Sequence, residues 1–119
     1  MKITAREVDG LTVLDLVGPL VLGDGTVALR DQIRALLGKG QNCILLNLKG
    51  VPYIDSCGIG ELVTSFTSVR NRGGELKLVN LEKKVHGVLQ ITKLHTIFEV
   101  YQDEAAAVRG FKKTQARAQ

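Results

Sequence analysis

Val51-Pro52-Tyr53-Ile54-Asp55-Ser56-Cys57-Gly58-Ile59-Gly60-Glu61-Leu62 is the stretch whose reading settles the fold class. Upstream, Cys43-Ile44-Leu45-Leu46-Asn47-Leu48 is a nearly unbroken apolar run, the pattern of a central strand covered on both faces. Downstream, Ile59, Leu62, Val63, Phe66 and Val69 recur at helical spacing and predict a helix with one stripe on that sheet. Between the two, Asp55 and Ser56 fall where a helix leaves backbone N–H groups without partners, and both are favoured capping residues. A hydroxyl in that position stands on the scaffold's rim, near the positive end of a helix dipole. It is a suitable place to attach and remove a phosphate.

Working outward, Ile3–Val8 and Leu11–Val17 read as strands joined at Asp9-Gly10, a strong hairpin signal. Gly18-Pro19 breaks the sheet pattern, and Leu20–Gly25 is a connecting loop. A helix is expected from near Asp24, with Leu29, Ile33, Leu36 and Leu37 on its buried stripe and Gly38-Lys39-Gly40 at its end. The helix after Ser56 should run to about Arg72, stopped by Gly73-Gly74. Glu75–Leu81 reads as a strand, and Asn80 as the cap of a short helix carrying Val85, Val88, Leu89 and Ile91. Thr96–Tyr101 reads as a last strand, and Asp103 as the cap of a final helix reaching about Phe111. Strands alternating with helices after an opening hairpin predict an α/β domain, a mixed sheet with about four helices packed against it. One domain is expected over residues 1–113, with a disordered basic tail at 114–119.

At 119 residues the chain suffices for one domain that buries roughly two thirds of its unfolded surface. No apolar run approaches the ~20 residues of a membrane span, and no signal-peptide pattern opens the chain, so a cytoplasmic location is expected. The net charge of +4 lies entirely in residues 109–119, where Arg109, Lys112, Lys113 and Arg117 face no acid. The rest of the chain is neutral and lacks clustered aromatics, which argues against direct nucleic-acid binding.

The run Ile54-Asp55-Ser56-Cys57-Gly58-Ile59-Gly60, read as (M/I)-D-S-x-G-(L/I)-G, resembles the phosphoacceptor motif of bacterial anti-sigma factor antagonists, the free-standing STAS domains. The likeness extends roughly from Lys2 to Val108 and includes Arg70-Asn71-Arg72-Gly73-Gly74-Glu75-Leu76-Lys77-Leu78. It implies a single STAS domain whose unphosphorylated form binds an anti-sigma factor, usually a serine kinase, and so frees the sigma factor. It further implies that phosphorylation at Ser56 ends that association and that a PP2C-type phosphatase restores it. Asp55, Ser56 and Gly58 match the motif directly, and Cys57, Ile59 and Glu61 are neighbouring partner-surface candidates. Where many members carry an acidic G-E-(L/I)-D segment this chain has Gly18-Pro19-Leu20-Val21, with Asp24 as a candidate displaced carboxylate. The same fold also serves as a regulatory or accessory subunit of membrane transport systems, a rival role that needs no phosphorylatable serine.

Each chemical candidate has a plainer reading. Ser56 and Asp55 are caps in their own right, a role that stabilises by ~1 kcal/mol. Gly58 and Gly60 permit a tight turn or the close approach of a partner, at some cost in helix propensity. Cys57, at a helix start, has the setting of a reactive thiol, whereas Cys43 lies in the apolar strand as core packing. His86 and His95 are the sole histidines and belong to no recognisable catalytic signature. No cofactor or metal is expected, and the chain reads as a substrate of kinase and phosphatase rather than an enzyme.

Overall fold

In the computed structural model, β1 (Lys2–Val8) and β2 (Leu11–Val17) form the expected antiparallel hairpin. Asp9 and Gly10 both hold positive φ, 50° and 84°, as a two-residue turn matched to the strand twist requires. The structure describes the backbone of residues 1–118 and the side chains of residues 1–112. From β2 the chain passes through α1 (Asp24–Gly38), β3 (Cys43–Gly50), α2 (Ser56–Asn71), β4 (Glu75–Val79), α3 (Lys83–Ile91), β5 (Val100–Tyr101) and α4 (Glu104–Ala118). The strands lie in sequence order in one mixed sheet, antiparallel between β1 and β2 and parallel thereafter.

The apolar run in β3 is continuous because both of its faces are covered. Ile44, Leu46 and Leu48 join the stripes of α1, α2 and α3 in the main core, with Leu29, Ile33, Leu62, Val69, Val85 and Leu89. Leu45 faces the other way, into a smaller cluster with Leu11, Val13, Val79 and the α4 residues Ala107, Val108 and Phe111. Three helices therefore cover one face and α4 covers the other. All three parallel crossovers leave from the carboxyl ends of strands, so the starts of α1 and α2 meet at that end of the sheet, beside the neighbouring strands β2 and β3.

β4 alternates as a strand between two cores should, except that Lys77 occupies a buried position beneath α4 at 1% exposure. Its amine pairs with Glu99, lies 3.6 Å from Glu75 and stands 5.3 Å from the Phe111 ring centroid. A buried charge is tolerated only with such partners.

Five expectations change. The strand from Glu75 stops at Val79, because Asn80 turns to φ 60°. Asn80 does not cap α3; its amide donates to Asn47 Oδ1 at 3.1 Å, and the cap position is held by Glu82 without a side-chain bond. Thr96–Tyr101 is not one strand. Lys93 at φ 61° opens a 3-10 turn over Leu94–Thr96, Phe98 packs into the main core, and only Val100–Tyr101 pairs with β4. Ile91, placed on the buried stripe of α3, is 84% exposed because the helix ends there. Asp103 does cap α4, accepting from the Ala106 N–H at 2.8 Å. That helix is traced to Ala118 rather than ending near Phe111, and the side chains of the expected basic tail at 114–119 lie outside the described residues.

Candidate functional site

The loops that follow β2 and β3 are tied together before either helix begins. Leu20 and Ile54 form a parallel bridge, the Leu20 N–H donates to the Tyr53 carbonyl at 3.2 Å, and the Asp55 N–H donates to the Leu20 carbonyl at 3.3 Å. The bridge extends the sheet by one rung and fixes where α2 starts.

Asp55 then holds both loops. Its Oδ1 accepts from the Gly58 N–H at 2.7 Å, the N-cap bond of α2, and its Oδ2 accepts from the Leu22 N–H at 3.0 Å. These two donors, Leu22 first, hold the Asp55 carboxyl below its usual range. Asp55 is therefore the cap, and the capping role expected of the Ser56 hydroxyl is not observed. With φ −98° and ψ −178°, Asp55 is the half-in residue whose side chain can turn back to the helix. Ser56 is the first helical residue, exposed to solvent, and its hydroxyl has no hydrogen-bond partner among the described residues.

Gly58 is buried against the same junction. A β-carbon there would come 2.1 Å from the Leu20 carbonyl oxygen and 2.7 Å from Ile54 Cγ1, so the glycine is what allows α2 to lie on the Leu20 loop. Gly60 differs. It is exposed, and nothing lies within 4 Å of where its β-carbon would be. The fold gains nothing from that glycine and loses about 1 kcal/mol of helix propensity relative to alanine.

The remaining candidates divide. Cys57 is an exposed free thiol beside Ser56. Ile59 is half-buried and packs against the main core. Asp24, the first residue of α1, is exposed and pairs with the Met1 amino group. Glu61 departs from the surface role expected of it: only 6% exposed, it accepts from Arg30 Nε at 3.1 Å and Nη2 at 2.9 Å, locking α2 to α1. Its turn of the helix faces α1 rather than solvent.

Leu22 and Tyr53 were missed by the sequence reading. They flank Asp55 through the bonded loops and are 72% and 51% exposed. Two large apolar side chains displayed beside an exposed hydroxyl suit a protein contact. The available signal was weak: Leu22 fits neither the strand alternation before it nor the helical stripe after it. His86 and His95 are both exposed. Among the described residues no group of three or more His, Cys, Asp or Glu side chains is placed to hold a metal ion. No helix among them is long and apolar enough to cross a membrane.

Against known proteins, a family model described as the STAS domain matches residues 2–107. BtrV of Bordetella bronchiseptica, a proposed anti-sigma factor antagonist, is 30% identical over 112 residues, covering 94% of this chain and 96% of BtrV. The anti-sigma F factor antagonist of Paenibacillus polymyxa is 29% identical over 108 residues, covering 91% and 92% of the two chains. The crystal structure of TM1081 from Thermotoga maritima, also a proposed anti-sigma factor antagonist, superposes with a TM-score of 0.86 at 28% identity, covering 92% of this chain and 94% of that one.

Proposed function

This chain belongs to the STAS domain family, and from that premise we propose that it is an anti-sigma factor antagonist switched by phosphorylation of Ser56. The observation that carries the proposal is the position of Ser56. Its hydroxyl is exposed at the first residue of α2, while the capping work falls to Asp55. The oxygen is thus free to be esterified without loss of a bond that holds the fold.

In the unphosphorylated state the rim formed by Asp55, Ser56, Leu22 and Tyr53 docks on an anti-sigma factor, a serine kinase, which then releases its sigma factor. Cys57 and Gly60 belong to this surface, and the missing side chain of Gly60 lets the partner backbone approach. Phosphorylation adds about −1.5 to −2 charges beside the Asp55 carboxylate. The nearby helix N-terminus favours an anion by roughly 0.3–1 kcal/mol, so the domain keeps its fold. The partner surface instead meets bulk and like charge. A hundredfold loss of affinity needs only about 2.8 kcal/mol, within the several kcal/mol that like-charge juxtaposition costs. A PP2C-type phosphatase would reset the switch, and the protein performs no catalysis of its own. A cytoplasmic location follows from such partners.

The test is to incubate the chain with its candidate kinase and ATP and to locate the phosphate by mass spectrometry. Ser56→Ala should abolish the signal with the fold intact. Ser56→Asp should weaken kinase binding while leaving the circular dichroism spectrum unchanged. Kinase binding by Ser56→Asp as tight as that of the parent would overturn the electrostatic switch.

A further inference from the structure

A groove of about 510 Å³ runs between α1 and α2, along the flank of α2 that leads away from Ser56 towards its C-terminus. Arg30 and Arg34 of α1 and Arg72 at the end of α2 line it. Against these stands one acid, Glu61, which Arg30 already neutralises. The guanidiniums of Arg34 and Arg72 have no carboxylate partner among the described residues. Arg72 is the C-cap of α2, where positive charge is favoured against the negative end of the dipole, whereas Arg34 lies outside the last turn of α1. That does not account for the groove's lining. Ser65 there is 2% exposed, and its hydroxyl has no hydrogen-bond partner. A buried polar atom left unsatisfied is uncommon and calls for a partner from elsewhere.

We propose that this groove is a second docking surface, one that receives an acidic segment of a partner protein. Two unpaired guanidinium forks match carboxylates in charge and in planar geometry. The Ser68 hydroxyl, with that of Ser65 once the groove is occupied, supplies neutral donors between them. The groove is open along its length, so a chain segment can lie across it, whereas a small molecule would keep much of its surface in water. Ser56 lies at the first turn of α2, Arg72 caps its far end and Arg34 stands on α1, so this surface works in both phosphorylation states. The surface is thus distinct from the rim that carries the switch.

The test uses the full chain, isotopically labelled, titrated with a synthetic oligoglutamate peptide and followed by NMR. Saturable amide shifts are expected at Arg34, Ser65, Ser68 and Arg72. The double variant R34Q/R72Q should bind at least about tenfold more weakly, as expected when partners of paired charges are removed. Its melting temperature should stay that of the parent, because both side chains are exposed. Ser56→Asp should bind within about twofold of the parent, as for well-separated sites. Absence of binding, undiminished binding by R34Q/R72Q, or shifts centred on a separate cleft between the end of β3 and the start of α3, lined by Lys49, Lys83 and Lys84, would each overturn the proposal. So would inorganic phosphate that reproduces the shifts and displaces the peptide, since that would mark a small-anion site.

Discussion

Gly58 sits so close to Leu20 that a β-carbon on it would lie 2.1 Å from the Leu20 carbonyl oxygen. The obstacle is backbone, already engaged by the Asp55 N–H, so it cannot swing aside as a side chain would. Gly58→Ala should therefore push α2 off the Leu20 loop and destabilise the domain by about 2–3 kcal/mol, the cost of overpacking a rigid site. A thermal melt reads the loss, and an unchanged melting temperature would show that the junction can relax.

Gly60→Ala should do the opposite to stability. With open space around the position and a gain of about 0.5–1 kcal/mol in helix propensity, the variant should melt higher than the parent. On the reading proposed above, the same methyl group should weaken kinase binding. A variant both more stable and fully competent to bind would remove Gly60 from the contact surface.

The Asp55 carboxyl titrates below its ordinary value of 3.8 because the Leu22 and Gly58 N–H groups bond its charged form. A folded-state value below the unfolded one means that the contribution is fully present above the unfolded value and is lost as pH falls through the folded one. The Leu22 and Gly58 amide resonances should accordingly move together on acidification, with a midpoint below 3.8. In Asp55→Asn that titration should vanish. Separate midpoints for the two amides would show that a different group moves them.

Glu61 and Arg30 form a pair that is buried on one side only, with the carboxylate 5% and the guanidinium side chain 43% exposed. Arg30→Ala leaves the carboxylate enclosed without its partner and should cost about 1–3 kcal/mol, less than for a fully buried pair because solvent reaches the site. Replacing both residues with Met should recover most of the loss. Denaturant unfolding of Arg30→Met, Glu61→Met and the double variant measures the coupling.

Lys77 fills a position that the strand alternation assigns to a buried apolar residue. Its stem packs beneath α4 and its charge is met by Glu99 and Glu75. Lys77→Met keeps the volume and removes the desolvated charge, and stability should stay within about 1 kcal/mol of the parent. Lys77→Glu places a third acid beside Glu75 and Glu99 and should detach α4, seen as faster amide exchange at Ala107 and Val108.

Much of this architecture was legible from local pattern. The Asp9-Gly10 turn, the run in β3, the stripes of α1 and α2 and the Asp103 cap depend on residues within a few positions of one another. Ser56 could be placed at the start of a helix for the same reason. The short β5 and the misplaced Asn80 cap failed where positive φ at Lys93 and Asn80 redirected the chain, and neither residue is a glycine that would announce the turn.

What the sequence by itself determined is the order of strands and helices from β1 to β4, the buried stripe of α1, and that a serine stands at the head of α2. Periodicity encodes burial one segment at a time. Only the tertiary structure decided that Asp55 also ties α2 to the Leu22 loop, that Leu22 and Tyr53 are displayed beside the serine, and that Glu61 is locked away. Those outcomes join residues far apart in the chain: Asp55 reaches back 33 positions to Leu22, and Glu61 back 31 to Arg30. Such partners meet through the parallel register of β2 and β3, and no local spacing can specify that register.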